Sequence, residues 1–126
     1  MGKVEQKVRE LAAKYPDFVY QRPKISTCNN LLGGDPKYPD LKGCIIGQAV
    51  RACGYRITDT YSAAPVAALL RVLQVNEPVY WLAEVQSLQD SGYTWGYAVK
   101  RADAAPNRHS LSLPQFSISL QTKRIL

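Results

Sequence analysis

The spacing of apolar residues along the chain predicts five helices, near residues 2–15, 44–53, 63–74, 77–91 and 95–103. In each stretch the apolar residues recur at intervals of three and four, which places them on one helical face. The first stretch shows this most simply, with a stripe formed by Val4, Val8, Leu11 and Tyr15. The prediction is a mainly α fold, a small single-domain helical bundle with a minor β element.

The two helices between residues 78 and 103 contain both tryptophans and are predicted to form the centre of the fold. Asn76 is suited to cap the first of them, Gly92 to end it, and Thr94 to cap the second. Another predicted cap, Ser62, precedes the helix near 63–74. We expect a core that contains Trp81, Trp95, Ile46, Leu69, Leu70 and Val85.

Gln89 interrupts this pattern, because its helical angle places it between Leu82 and Val85 in the apolar arc. If the side chain is buried, its amide needs partners, since an unpaired buried polar group costs about 1–3 kcal/mol. If it lies at the rim near the helix end, water can solvate it. The sequence leaves both positions of Gln89 open.

Polar and basic residues mark a candidate interaction face. Tyr97, Lys100 and Arg101 share the outer side of the helix near 95–103, and Gln48 and Arg51 lie opposite the apolar side of the helix near 44–53. The net charge of +6 and the pI of about 9.3 favour acidic partners or nucleic acid. The basic residues are spread along the chain, however, which is typical of a solvated surface.

A helix, a glycine turn and a second helix also invite comparison with DNA-binding helix-turn-helix motifs. In those motifs a small residue stands four positions before the glycine, and here that residue is Leu88. An ordinary helical hairpin with a basic outer face is therefore favoured.

The C-terminal segment changes character and predicts a strand over residues 115–121. Its apolar residues alternate with polar ones, namely Phe116, Ile118 and Leu120. The chain is thus interpreted as a helical domain over 1–109 and a strand-like tail over 110–126. A single strand needs a partner edge, either residues 18–20 or 55–58, or the same strand of a second molecule in a homodimer.

The three cysteines provide no metal or catalytic motif. An odd number of cysteines favours reduced thiols over a disulfide framework. Cys53 is predicted to be a small core residue, whereas Cys28 and Cys44 flank a long irregular loop, 27–43, and could approach each other. Zinc sites have closely spaced ligand pairs, which these cysteines and His109 do not provide. We therefore predict no metal and no cofactor.

The charge of the N-terminal residues and the length of the apolar runs predict where the protein is located and whether it contacts a membrane. The first fifteen residues are charged throughout, unlike a signal peptide. No run approaches the ~20 apolar residues that span a bilayer. A cytoplasmic protein without membrane contact is expected.

Three segments carry a resemblance: GCIIGQAV at 43–50, QSLQDSG at 86–92 and WGYAV at 95–99. This combination resembles small uncharacterised proteins of actinobacteria and their phages, which pair a C-I-x-G-x-A helix with a Q-x-x-Q-D-x-G-x-x-W-x-x-A-V segment. The likeness covers residues 43 to 103 and has one departure, Val50 in place of Leu. It implies a phage or actinobacterial origin and no catalytic role.

These observations predict a small intracellular, non-enzymatic protein-interaction module, phage-encoded and acting on a host protein. Two alternatives remain open. One is a nucleic-acid-binding regulator that uses the basic outer face of the helix near 95–103. The other is a cysteine-dependent enzyme with Cys28 and Cys44 in the long loop.

Overall fold

The computed structural model describes residues 1–24 and 28–105, and the five predicted helices are present in this part of the chain. Their bounds are α1 Lys3–Lys14, α2 Ile45–Ala52, α3 Val66–Val72, α4 Tyr80–Asp90 and α5 Trp95–Ala104. A short 3-10 turn, Asp59–Tyr61, precedes α3. The mainly α prediction is confirmed. The predicted strand at 115–121 lies outside the described residues.

The helices enclose one core, to which all five contribute buried residues. α4 packs against α5, α2 and α3, and α1 packs against α2 and α5. All six residues predicted for the core are buried, namely Trp81, Trp95, Ile46, Leu69, Leu70 and Val85. The 3.6-residue period therefore predicted the inward faces of the helices correctly.

The chain after α1 folds onto the beginning of α5. The ring of Phe18 stacks on the ring of Trp95, with centroids 3.7 Å apart. The backbone N–H groups of Trp95 and Gly96 donate to the carbonyl oxygens of Phe18 and Pro16, at 2.9 and 3.0 Å. Two N–H groups of the first turn of α5, which have no partner inside the helix, are thereby satisfied.

Trp81 is held by an ion-pair network that joins three helices. Its indole Nε1 donates to Asp103 Oδ1 at 2.8 Å. Arg9 forms a bidentate pair with the same carboxylate, with both N···O distances at 2.8 Å, and its guanidinium lies 4.2 Å from the Trp81 ring centroid. The hydrogen bond to Asp103, followed by the pair with Glu5, raises the pKa of Arg9 despite partial burial. The network fixes α1 against α4 and α5.

Two of the predicted helix starts are wrong. Ser62 is the C-cap of the 3-10 turn, with its N–H donating to Asp59 O at 3.2 Å, and α3 begins only after Pro65. Asn76 does not cap α4, whose N-cap residue is Val79. In both cases non-helical residues separate the predicted cap from the first residue of the helix.

Glu77 precedes α4, but its carboxylate caps a different helix. Its oxygens accept hydrogen bonds from the Val4 and Glu5 backbone N–H groups, at 3.1 and 3.2 Å. A glutamate at this position is suited to the N-terminal end of the helix that follows it. It instead satisfies two free donors at the start of α1, where a negative charge is favourable.

Residues 28–43 form a loop that is fixed by side-chain hydrogen bonds to the backbone. Asn29 Oδ1 accepts from the backbone N–H groups of Leu31 and Leu32, at 2.9 and 2.8 Å. Asn30 Nδ2 donates to the carbonyl oxygens of Tyr61 and Ala64 at 3.0 and 3.1 Å. Asp35 accepts from the Val19 N–H at 2.8 Å. The loop is therefore tied to the helical core along its length.

Within residues 1–24 and 28–105 there is no β-sheet, and the only bridge joins Gln21 to Gly34. The segments 18–20 and 55–58, which were considered as strand partners, are not strands. Among the described helices, none has the length and apolar character that crossing a membrane requires.

Candidate functional site

An exposed aromatic surface lies on the outer side of the α4–α5 hairpin. Tyr93 and Tyr97 are 46% and 40% exposed, and their ring centroids are 4.8 Å apart. Arg101 Nη1 donates to the Tyr97 hydroxyl at 3.2 Å. We call Tyr93, Tyr97 and Arg101 the tyrosine face. Thr94 positions it, because its hydroxyl accepts from the Tyr97 N–H at 3.2 Å, the cap that the sequence predicted.

Lys100 lies beside the tyrosine face but turns towards α1. It lines a shallow cavity of about 380 Å³ together with Arg9, Gly96 and Asp103. Of the predicted interaction residues, Tyr97, Lys100 and Arg101 are all exposed. The sequence reasoning missed Tyr93, which precedes the helix cap and so fell outside the helical pattern.

Gln48 and Arg51 do not join this surface. Gln48 is buried and its Nε2 donates to Gly43 O at 2.7 Å. Arg51 is half-buried and donates to Asn30 O at 3.2 Å and to Lys42 O. Both side chains point away from the apolar side of α2, as predicted. The loop covers this polar side of the helix. They hold the loop on α2.

Gln89 is fully buried and all its polar atoms have partners. Its Oε1 accepts from the Ile45 backbone N–H at 2.8 Å and from Trp95 Nε1 at 3.2 Å. Its Nε2 donates to Asp90 Oδ1 at 2.7 Å. The side chain joins the start of α2 to the start of α5 and acts as an internal tie.

A second polar cluster surrounds Cys28 between α4 and the loop. Gln86 Nε2 donates to Cys28 Sγ. Asp90, one helical turn after Gln86, lines the same cavities as Cys28. Within the described part of the chain, Gln86 Oε1 is buried without a hydrogen-bond partner. A thiol, an amide and a carboxylate are thus brought together.

Two cavities meet at this cluster, and both are lined by Cys28 and Asp90. The larger, about 520 Å³, lies between α4 and the segment from Ala63 to Ala67. The smaller, about 350 Å³, is lined by Tyr20, Gln21 and Arg22 as well. The larger volume is within the range of small-molecule pockets.

The electrostatics of the cluster follow from burial and hydrogen bonding. The hydrogen bond with Cys44 and then burial raise the pKa of Cys28. Burial raises the pKa of Asp90, and the hydrogen bond from Gln89 opposes that shift. Burial of Tyr20 raises the pKa of its hydroxyl, which donates to Leu32 O at 2.8 Å. The cluster therefore favours protonated groups at Cys28 and Tyr20.

Cys44 and Cys53 occupy opposite ends of α2. Cys44 is fully buried at the N-cap, where its Sγ accepts from the Gly47 N–H at 3.5 Å and contacts Asn30 Oδ1 at 3.2 Å. Cys53 was predicted to be a core residue, but it is only partly buried at the C-cap and contacts Lys3 O at 3.5 Å. The sequence raised an approach of Cys28 to Cys44, and the Cys44 N–H donates to the carbonyl oxygen of Asn29, the residue after Cys28, at 2.9 Å. Cys53 lies at the other end of α2.

No group of three or more metal-ligating side chains occurs among residues 1–24 and 28–105. His109 lies outside the described residues. Gln86 and Asp90, one helical turn apart, could have been paired from the sequence. Nothing in the sequence connects them to Cys28, which follows irregular chain.

Comparison of the chain with protein-family models, with curated proteins and with solved structures gives no significant match.

Proposed function

We propose that the protein is a small, non-enzymatic interaction module whose tyrosine face binds an acidic segment of a partner protein. The observation that carries the proposal is the pair of exposed tyrosines beside an arginine, Tyr93, Tyr97 and Arg101. Tyrosine and arginine are enriched in interface hot spots, because they combine a large contact area with hydrogen-bonding groups.

The charge around the tyrosine face supports an acidic partner. Lys100 and Arg101 are both exposed on α5, whereas the carboxylate of Asp103 is engaged by Arg9. The chain as a whole carries a net charge of +6. A basic surface steers acidic ligands towards it and suppresses binding of basic ones.

The tyrosine face is also pre-organised for binding. The Thr94 cap fixes the start of α5, and the Arg101–Tyr97 hydrogen bond restricts both side chains before a partner arrives. Fewer rotamers are then lost on association, which reduces the entropic cost of binding. Acting on a host protein, as a phage-encoded module would, is compatible with such a site.

The experiment is affinity capture from a host lysate, with and without nuclease, followed by direct binding measurements with the captured protein. The double variant Tyr97→Ala/Arg101→Ala should lose at least about tenfold in affinity, the equivalent of 1.4 kcal/mol. Tyr80→Ala is the matched control, because Tyr80 is 47% exposed and lies outside the tyrosine face. Equal losses in both variants, or in neither, would refute the proposal.

Nucleic-acid binding is the second candidate, and the same surface favours it. Exposed aromatic rings provide stacking platforms for unpaired bases, and arginine adds a cationic contact. Capture that disappears after nuclease treatment, together with a gel shift that weakens steeply with salt, would select this function over protein binding.

A further inference from the structure

The larger cavity, about 520 Å³, has a wall of short apolar side chains. This wall is formed by residues 63–67, which read AAPVA, and by Ala83 of α4. Short side chains at these positions leave open the space that longer ones would fill. An apolar wall with a few polar groups beside it is typical of pockets that bind small molecules.

The polar side of the same cavity comes mainly from α4. Gln86 and Asp90 both line it, and their spacing of four residues places them on one face of the helix. Asp90 is exposed, so its carboxylate lies where the cavity opens to solvent. An apolar wall beside one acidic group suits a ligand with an apolar body and a positively charged head.

Gln86 provides a hydrogen-bond acceptor that the described part of the chain leaves unused. Its Oε1 is buried and has no partner there, while its Nε2 contacts Cys28 Sγ, a weak acceptor. An unpaired buried acceptor is unfavourable. The last torsion of a glutamine side chain is broad, so the amide can turn towards a donor that enters the cavity. A ligand with N–H groups would supply the missing partner.

Asp90 provides a negative charge that no described cation neutralises by contact. Its Oδ1 accepts from Gln89 Nε2 at 2.7 Å, but none of the ion pairs among residues 1–24 and 28–105 involves Asp90. Arg22 lines only the smaller of the two cavities. Burial raises the pKa of Asp90, so its ionised form lacks a stabilising contact that a bound cation would provide.

We propose that this cavity binds a small organic ammonium ion, whose apolar body packs on residues 63–67 and Ala83 and whose N–H groups donate to Asp90 and Gln86. Charge-assisted hydrogen bonds favour such a cation over a neutral molecule of the same shape. The net charge of +6 does not prevent binding, because salt screens distant charges more than groups in contact. The site shares no residue with the tyrosine face, and neither proposal requires the other.

The test uses the full-length, isotope-labelled chain and benzylammonium as the probe, followed by amide NMR spectra. Saturable shifts are expected in the backbone amides that line the cavity and in the side-chain amide of Gln86. Benzyl alcohol has nearly the same shape without the charge. It should bind at least about tenfold more weakly, because hydrogen bonds to charged groups are stronger than those between neutral groups.

Three variants test the acidic group and the apolar wall separately. Asp90→Asn should weaken benzylammonium by at least about tenfold and leave benzyl alcohol unchanged, which removes the preference. Asp40→Asn is the matched control, because it changes the net charge equally at an exposed position outside the cavity. Ala83→Leu should weaken both probes, since the larger side chain occupies the cavity. Leucine is a good helix former, so α4 should remain intact.

Three results would overturn the proposal. One is a set of shifts centred on the tyrosine face, where aromatic rings can also attract a cation. The second is equal affinity for the two probes, or no binding of benzylammonium. The third is a preference for benzylammonium that survives in Asp90→Asn. Spectra without probe show whether each variant folds, and the two probes on the wild-type chain decide the matter even where a variant does not.

Discussion

Replacement of Gln89 by methionine tests whether its buried amide ties three helices together. Methionine has a similar volume, but it cannot accept hydrogen bonds from the Ile45 N–H or from Trp95 Nε1, which lie at 2.8 and 3.2 Å. Two donors would be left unpaired in the core, at about 1–3 kcal/mol each. Removing the polar amide from the interior offsets part of this cost. We expect a net loss of about 2–4 kcal/mol in the free energy of unfolding.

The measurement is unfolding in urea, monitored by the fluorescence of Trp81 and Trp95. Gln6→Met is the control, because Gln6 is exposed on α1 and its replacement changes the same chemical group without loss of an internal tie. Surface substitutions of this kind fall within about 0.5 kcal/mol. A loss below about 1 kcal/mol for Gln89→Met would refute the reasoning, since it would show that the two donors find other partners.

Three further predictions follow from the packing and the C-terminal pattern. Trp81→Ala should cost about 3–5 kcal/mol by chemical denaturation, because it removes a buried ring and its bond to Asp103; a cost below about 1 kcal/mol would contradict this. Gly47→Ala should destabilise by about 1–3 kcal/mol in the same assay, since a Cβ would lie 2.2 Å from Asn30 O; a stabilised variant, as helix propensity alone predicts, would contradict it. Deletion of residues 110–126 should convert a homodimer to a monomer in light scattering and lower the melting temperature, because the tail is predicted to pair as a strand; an unchanged mass and melting temperature would count against the strand.

Local patterns predicted the helices, while contacts between distant residues set where some of them begin. Thr94 and Gly92 perform their predicted roles because a cap and a left-handed turn depend on adjacent residues. Glu77 could not be interpreted this way, because its partners at the start of α1 are 72 and 73 positions away. For Gln89, the helical angle predicted the direction of the side chain. It could not predict the two donors that bind its oxygen, the Ile45 N–H and Trp95 Nε1.

The candidate sites show the same division between local and distant information. Tyr97 and Arg101 are one turn apart on one helix, so their shared surface could be predicted from spacing. The cluster at Cys28 combines a loop residue with α4 and the start of α2, and no periodicity connects them. Gln48 and Arg51 were placed on the correct side of α2, but the sequence could not show that the loop covers that side.

The ionised carboxylate of Asp90 should lower the free energy of unfolding, and a single substitution can test this. Burial raises the pKa of its carboxyl group, so the folded chain favours the protonated form more than the unfolded chain does. The resulting stability is fully present below the unfolded pKa of about 3.9 and is lost as the pH rises through the folded value. At neutral pH the ionised carboxylate therefore destabilises the fold.

Asp90→Asn removes this charge but retains an oxygen that can accept the hydrogen bond from Gln89 Nε2, which is 2.7 Å long in the wild-type chain. The variant should unfold at higher urea than the wild type at pH 7, and the difference should shrink as the pH falls towards about 3, where the wild-type carboxyl group becomes neutral. A difference that does not change with pH, or a wild type that is more stable at pH 7, would show that burial does not destabilise the carboxylate.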